Sequence, residues 1–275
     1  MQDYQVAPDT QINLKDYETY YDGEIKKKDG KKQLIEVSKN LRDLQELLYA
    51  EGKQKVLVVL QGIDASGKDS TIKNVFGRVN PQGTQIASFK VPTQKELSHD
   101  YLWRIHHRTP AAGEIVVFNR SHYEDVLVVR VDNLVPHYIW EKRYQHINEF
   151  ERMLADEGTT ILKFYLHMSH TRQAERFLAR LDRPHKRWKF DPNDLEKRQG
   201  WHAYLAAFED MLSKTSTSWA PWYVIPSDRK WYRNLTIGKI IVETLNGLDM
   251  QFPKEVDDIE SYRDELQAMI QGNDE

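Results

Sequence analysis

The tightest constraint on this chain is the segment Lys55 to Thr71, where a short apolar run leads directly into Gly62-x-x-x-x-Gly67-Lys68. Val56 to Leu60 suits a strand buried on both faces. The two glycines let the following backbone curl its N–H groups inward, and Lys68 adds a point charge. The helix-prone residues after it would aim a positive helix end at the same spot. Gly62, Ala65, Ser66, Gly67, Lys68 and Asp69 therefore read as a cradle for phosphate. Three fixed letters recur by chance in many chains, so the placement between a strand and a helix carries the reading.

Loops of this kind usually follow the lysine with a Ser or Thr whose hydroxyl meets Mg²⁺, and this chain has Asp69 there. Metal handling is expected to differ accordingly. Asp64, inside the loop, is the preferred hard oxygen ligand. Asp69 reads equally well as a second metal ligand or as a first-turn carboxylate complementing the helix dipole.

A chain of 275 residues with no Pro/Gly/Ser-rich linker fits one large α/β domain with terminal extensions. We expect an N-terminal helical extension over 1–52, a phosphate-handling domain over 53–250 with a lid at 169–213, and a C-terminal tail over 251–275. A net charge of −3 with 29% charged residues argues against a general nucleic-acid binder, so any polyanion site must be a local patch. The absence of cysteine excludes disulfides, thiol catalysis and zinc–thiolate sites. The polar start Met1 to Tyr4 is unlike a signal peptide, and apolar runs such as Val126 to Val129 are too short to span a bilayer. The expectation is a cytoplasmic protein with no membrane and no nucleic-acid partner.

Lys26 to Lys32 reads as a basic turn before a helix patterned by Leu34, Val37, Leu41, Leu44, Leu47 and Leu48. Later apolar runs, Ile86–Phe89, Ile115–Phe118, Thr160–Leu166 and Trp222–Ile225, alternate with helical segments at Ser70–Arg78, Gln94–His107, Tyr138–Asp156, Ser169–Asp182, Asp194–Ser213 and Lys230–Leu248. Strands alternating with helices imply a parallel sheet covered on both faces.

The third of these strands, counting Val56–Leu60 first, ends at Asn119-Arg120-Ser121-His122-Tyr123-Glu124-Asp125, where open α/β sheets bind ligands. Arg120 could clamp a phosphoryl group, while His122, Tyr123, Glu124 and Asp125 taken singly suit packing or capping better than catalysis. In Ser169 to Pro184, Arg172, Arg176, Arg180 and Arg183 are spaced 4, 4 and 3, with Ala174, Phe177, Leu178 and Leu181 opposite. We expect the apolar stripe to pack inward and the guanidinium groups to face outward as a lid over anions, continuing into Lys186, Arg187 and Lys189. Trp188 and Phe190 suit a base, a core or a hinge equally. No His-Glu-x-x-His or Gly-x-Ser-x-Gly motif competes with phosphoryl transfer.

These strings, with Val79-Asn-Pro-Gln-Gly83, Ser88-Phe-Lys-Val-Pro-Thr93, His99-Asp-Tyr-Leu-Trp-Arg104, Trp188-Lys-Phe190 and Ala220-Pro-Trp-Tyr-Val224, make the chain resemble the family-2 polyphosphate kinases. The spelling Phe118-Asn-Arg-Ser-His-Tyr-Glu-Asp125 is similar to the branch that phosphorylates both AMP and ADP. The resemblance implies a P-loop kinase-like three-layer αβα sandwich with a helical lid. It also implies Mg²⁺ as cofactor, with Mn²⁺ as the alternative ion, polyphosphate and adenine nucleotides as ligands, and a homo-oligomer to which Trp201, Tyr204 and Phe208 could contribute. Asp64, Lys68, Arg120 and Arg180 take the catalytic places, Asp64 also holding the metal. Lys186 and Lys189 fall on the basic lid, and Asn119, Arg120 and Glu124 on the nucleotide. Arg183 departs from the family, which commonly has an acid there. The competing expectations are an ATP-dependent nucleoside monophosphate kinase resembling thymidylate kinase, and a non-catalytic binder on the same fold.

Overall fold

The computed structural model describes residues 4–272, so Met1 to Asp3 and residues 273–275 lie outside the described residues. In chain order the elements are α1 (Lys27–Glu51), β1 (Lys55–Gln61), α2 (Lys68–Val75), β2 (Thr84–Ser88), α3 (Gln94–Leu97), α4 (Trp103–His106), β3 (Ile115–Asn119) and α5 (Val128–Val131). They continue with α6 (His137–Asp156), β4 (Thr159–His167), α7 (His170–Leu181), α8 (Asn193–Gln199), α9 (Trp201–Thr215), β5 (Trp222–Pro226), α10 (Lys230–Asn246) and α11 (Ile259–Gly272).

The five strands form one parallel sheet in the order β2-β3-β1-β4-β5. Alternation along β1 sorts its side chains between two layers. Val56, Val58 and Leu60 meet Leu41 and Leu48 of α1 and Ile237, Ile240 and Ile241 of α10. Leu57 and Val59 face the core built with Ile147, Phe150 and Leu154 of α6 and Tyr204, Phe208 and Met211 of α9. The result is the expected α/β three-layer sandwich. Leu60 pairs with Asn119 across β1 and β3, so the carboxyl ends of two central strands open side by side.

Several local expectations fail for identifiable reasons. The lysines from Lys27 onward are inside α1 rather than in a turn before it. The span Gln94–His107 breaks into α3 and α4 because the Asp100 carboxylate accepts from the backbone N–H groups of Leu102 and Trp103 and starts a new turn. Gly200 separates α8 from α9 where one helix was expected. Trp201, Tyr204 and Phe208 are buried within the chain, so they offer no outer surface to a second subunit. The C-terminal tail carries the helix α11. No helix among the described residues is long and apolar enough to cross a membrane.

Candidate active site

Gly67 has φ +110, and a Cβ there would lie 2.0 Å from the Arg233 guanidinium, so this bend requires glycine. α2 starts immediately after it with no side-chain cap, leaving its first N–H groups to an outside acceptor. Lys68 is buried and its ammonium turns back onto the carbonyls of Gly62 (2.5 Å) and Ile63 (3.4 Å). Burial lowers its pKa against the pull of Asp64. Ser66 is also buried, and its hydroxyl has no hydrogen-bond partner. An unsatisfied hydroxyl beside the uncapped start of a helix suits an incoming anion.

Arg120 follows β3 with φ +61, a left-handed conformation that costs a non-glycine residue of order 1–3 kcal/mol. Its guanidinium donates to Asp64 Oδ1 at 2.6 Å. Burial alone would raise the Asp64 carboxyl, but Lys68 and Arg120 outweigh it and hold the group below the usual carboxylate range. Asp64 is therefore an anion whose hard oxygens suit Mg²⁺. Among the described residues no cluster of three or more His, Cys, Asp or Glu could hold a metal ion. Asn119 donates its amide to Asp69 Oδ1 at 2.8 Å, and Lys189 approaches Asp69 Oδ2 at 3.5 Å. Asp69 thus links strand end, helix start and lid.

The lid arrives by a different face than expected. Arg176 is buried and donates to the carbonyls of Ala65 (2.7 Å), Ser66 (2.8 Å) and Ser227 (2.5 Å), whereas Leu178 and Leu181 are exposed. Phe177 alone of the predicted stripe's large residues is buried. The arginine face is pulled inward because the cradle's carbonyls point away from the anion seat and need donors. Gln173 adds a bond to the Asp64 carbonyl at 3.1 Å. Arg180 pairs with Asp194 of α8 at 3.0 Å and does not reach the loop. Asp194 and Lys197 line the same pocket as Asp64, Arg120 and Glu124, closed by Leu127, Tyr204 and Phe208. Glu124 is held there by the amide of buried Gln61.

Sequence reasoning missed Arg233, Lys230 and Gln61. Arg233 is fully buried, donates to the Ser66 carbonyl at 2.8 Å, and has its pKa lowered to about 9 by burial and by Arg176. Lys230 is lowered to about 8 by burial and then by Arg176, Arg233, Lys186 and Arg172. That places Lys186 within a cluster of cations, while Trp188 is 77% exposed and stacks on no core. His122, Tyr123 and Asp125 are structural: the first two bond Glu151, and Asp125 pairs with Arg143 at 2.9 Å.

Residues 24–253 match the profile of the polyphosphate kinase 2 family. The chain belongs to this family. It is 56% identical over 258 residues to an AMP/ADP-polyphosphate phosphotransferase of Meiothermus ruber, covering 92% of this chain and 96% of that protein. It is 42% identical over 264 residues to an ADP-polyphosphate phosphotransferase of Rhodopseudomonas palustris, covering 91% of each. The crystal structure of polyphosphate kinase 2 from Arthrobacter aurescens TC1 superposes with a TM-score of 0.92 at 39% identity, covering 96% of this chain and 95% of that one. The family membership and the parallel αβα fold expected from the motifs are therefore both established.

Proposed function

We propose that this chain transfers phosphate from inorganic polyphosphate to AMP and ADP, reversibly and with Mg²⁺, giving ADP and ATP. One observation carries the reading: the glycine-lysine loop and the arginine-rich lid meet, Arg176 on the loop carbonyls and Lys189 on Asp69. The names of the two enzyme relatives support polyphosphate as donor and adenine nucleotides as acceptors. We place the protein in the cytoplasm as a homo-oligomer, with 169–213 as its lid.

In the forward direction an oxygen of the acceptor's terminal phosphate attacks the phosphorus at the chain end. The bond from that phosphorus to the bridging oxygen breaks, and a polyphosphate one unit shorter leaves with the electron pair. The attacking oxygen is already anionic, so no general base is needed. Lys68 and Arg120 stabilise the charge spreading over the equatorial oxygens, and Arg180 joins them by exchanging Asp194 for phosphate. Bound at Asp64, Mg²⁺ would supply further charge neutralisation and alignment. Asn119, Arg120 and Glu124 are assigned to the nucleotide. Lys186 and Lys189 are assigned to the donor chain, together with the backbone of Gly62, Ala65, Ser66, Gly67 and Asp69.

The test is ADP formation from AMP with a single phosphoryl donor. Polyphosphate alone should support turnover that stops when Mg²⁺ is chelated. Turnover with ATP and none with polyphosphate would identify an ATP-dependent monophosphate kinase instead.

A further inference from the structure

The chain ahead of α1 is strapped onto the folded body. The Val6 N–H donates to the Trp222 carbonyl at 2.8 Å, those of Ile12 and Leu14 donate to Ser213 Oγ and Glu209 Oε1 at 2.8 Å each, and all three side chains are buried. Satisfied N–H groups and buried apolar side chains make this strap part of the rigid scaffold. At Thr19 it meets Asp228, a buried residue in the connection from β5 to α10. The Asp228 N–H donates to the Thr19 carbonyl at 2.9 Å, and the Thr19 hydroxyl donates back to Asp228 Oδ2 at 3.1 Å.

The remaining acceptors of Asp228 hold the base of the lid. Its Oδ1 accepts the N–H of Ser169 at 3.0 Å, the residue whose hydroxyl caps α7. Its carbonyl accepts from Arg172 Nε at 3.2 Å and from Arg176 Nη2 at 3.3 Å. A carboxylate just outside the first turn also complements the positive end of α7. The same two turns of α7 bond the phosphate loop, Gln173 through the Asp64 carbonyl and Arg176 through those of Ala65 and Ser66. Arg180 lies one turn beyond. Among the described residues its hydrogen-bond partners belong to the lid itself, Asp194 at 3.0 Å and the Lys189 carbonyl at 3.1 Å. The base of α7 is therefore tied to the scaffold while the end that carries Arg180 is not.

We infer that Asp228 is a positioning residue for phosphoryl transfer: joined to the strap through Thr19, it fixes the base of α7 so that Arg180 moves from Asp194 onto phosphate in one defined pose. The inference rests on the lid role and the reaction proposed above. Asp228 acts through Ser169, Arg172 and Arg176 and not on the substrate. Its side chain must accept from two elements at once, and a carboxylate or its amide isostere has the two heavy atoms to meet both. A lever with a loose base delivers its tip poorly, and a misplacement of about 1 Å can cost about 100-fold in rate.

The test is ADP formation from AMP and polyphosphate at a temperature where the melting curve of every variant shows it folded. Asp228→Ala should lower kcat at least ~10-fold and leave KM for AMP unchanged. Asp228→Asn keeps an acceptor for the Ser169 N–H and offers its amide to the Thr19 hydroxyl oxygen, so it should stay within about threefold of wild type. Arg180→Ala should cost far less in the Asp228→Ala protein than in wild type, because Arg180 is already misplaced there. Thr19→Val removes only the strap's hydroxyl and serves where Asp228→Ala does not fold; it should lower kcat and shrink the Arg180→Ala penalty in the same way. Wild-type kcat in Asp228→Ala, a full Arg180→Ala loss added on top of either variant, or Asp228→Asn as slow as Asp228→Ala would each overturn the inference. A wild-type protein that forms no ADP from polyphosphate would overturn the proposed reaction first, so the two failures are told apart by the wild-type rate.

Discussion

Gly67 and Arg233 occupy each other's space so closely that neither can change alone. Arg233 is fully buried and tied to Ser66 and Asn234, so it has no room to retreat from an added methyl group. Gly67→Ala combines that clash with an unfavourable φ, and a loss of stability of at least about 1–3 kcal/mol is expected. An unchanged melting temperature would contradict it. Arg176→Met keeps the bulk of the side chain but strips the carbonyls of Ala65 and Ser227 of their donor and leaves the Ser66 carbonyl to Arg233 alone, an expected cost of about 1–3 kcal/mol in denaturant titration. Equal stability would mean that Arg176 is a surface arginine. Periodicity placed Arg172, Arg176 and Arg180 on one helical face correctly but aimed it outward. Pattern arguments count a carbonyl as satisfied by default, and nothing local in a sequence marks Ala65 and Ser66 as acceptors in need.

At the scale of elements, the phosphate loop was legible because it is contiguous. Strand, bend and helix are fixed within 17 residues, each by its own side chains. The lid was legible only in part. α7 was expected within one residue at each end, whereas α8 and α9 were expected as one helix over Asp194–Ser213, which Gly200 divides. α10 hid its contribution altogether, since Lys230 and Arg233 belong to no motif and join the site only through tertiary packing. Their role has a pH signature. Lys230 titrates at about 8, facing Arg176, Arg233, Lys186 and Arg172, so it loses its charge as pH rises through that value. Polyphosphate affinity should therefore fall between roughly pH 7 and 9 more steeply than in Lys230→Arg, whose guanidinium stays charged. Parallel profiles for the two proteins would remove Lys230 from the donor site.

Across the whole molecule, the turn that follows Arg120 is anchored to a buried ion pair on the far side of the sheet from α1. Lys163 donates to Glu151 at 2.6 Å, to the Tyr123 hydroxyl at 2.8 Å and to the Thr215 carbonyl at 2.7 Å, and all four residues are fully buried. Glu151→Gln leaves an unopposed ammonium in the core and should cost about 3–5 kcal/mol of stability, read as a large fall in melting temperature. A variant as stable as wild type would show that the pair is dispensable to the turn. The parallel αβα architecture was readable from alternating runs. This network was not, because Glu151 and Lys163 belong to no motif and His122, which suits packing or capping, names no partner until three elements bring them together. The account as a whole stands on the loop and the lid acting as one phosphate seat. Its most direct test is single-turnover ADP formation from AMP and polyphosphate, with enzyme in excess, in Lys68→Ala and Arg180→Ala proteins that melt like wild type. Both are expected to transfer at least ~100-fold more slowly. Transfer by Lys68→Ala at the wild-type rate would contradict the account.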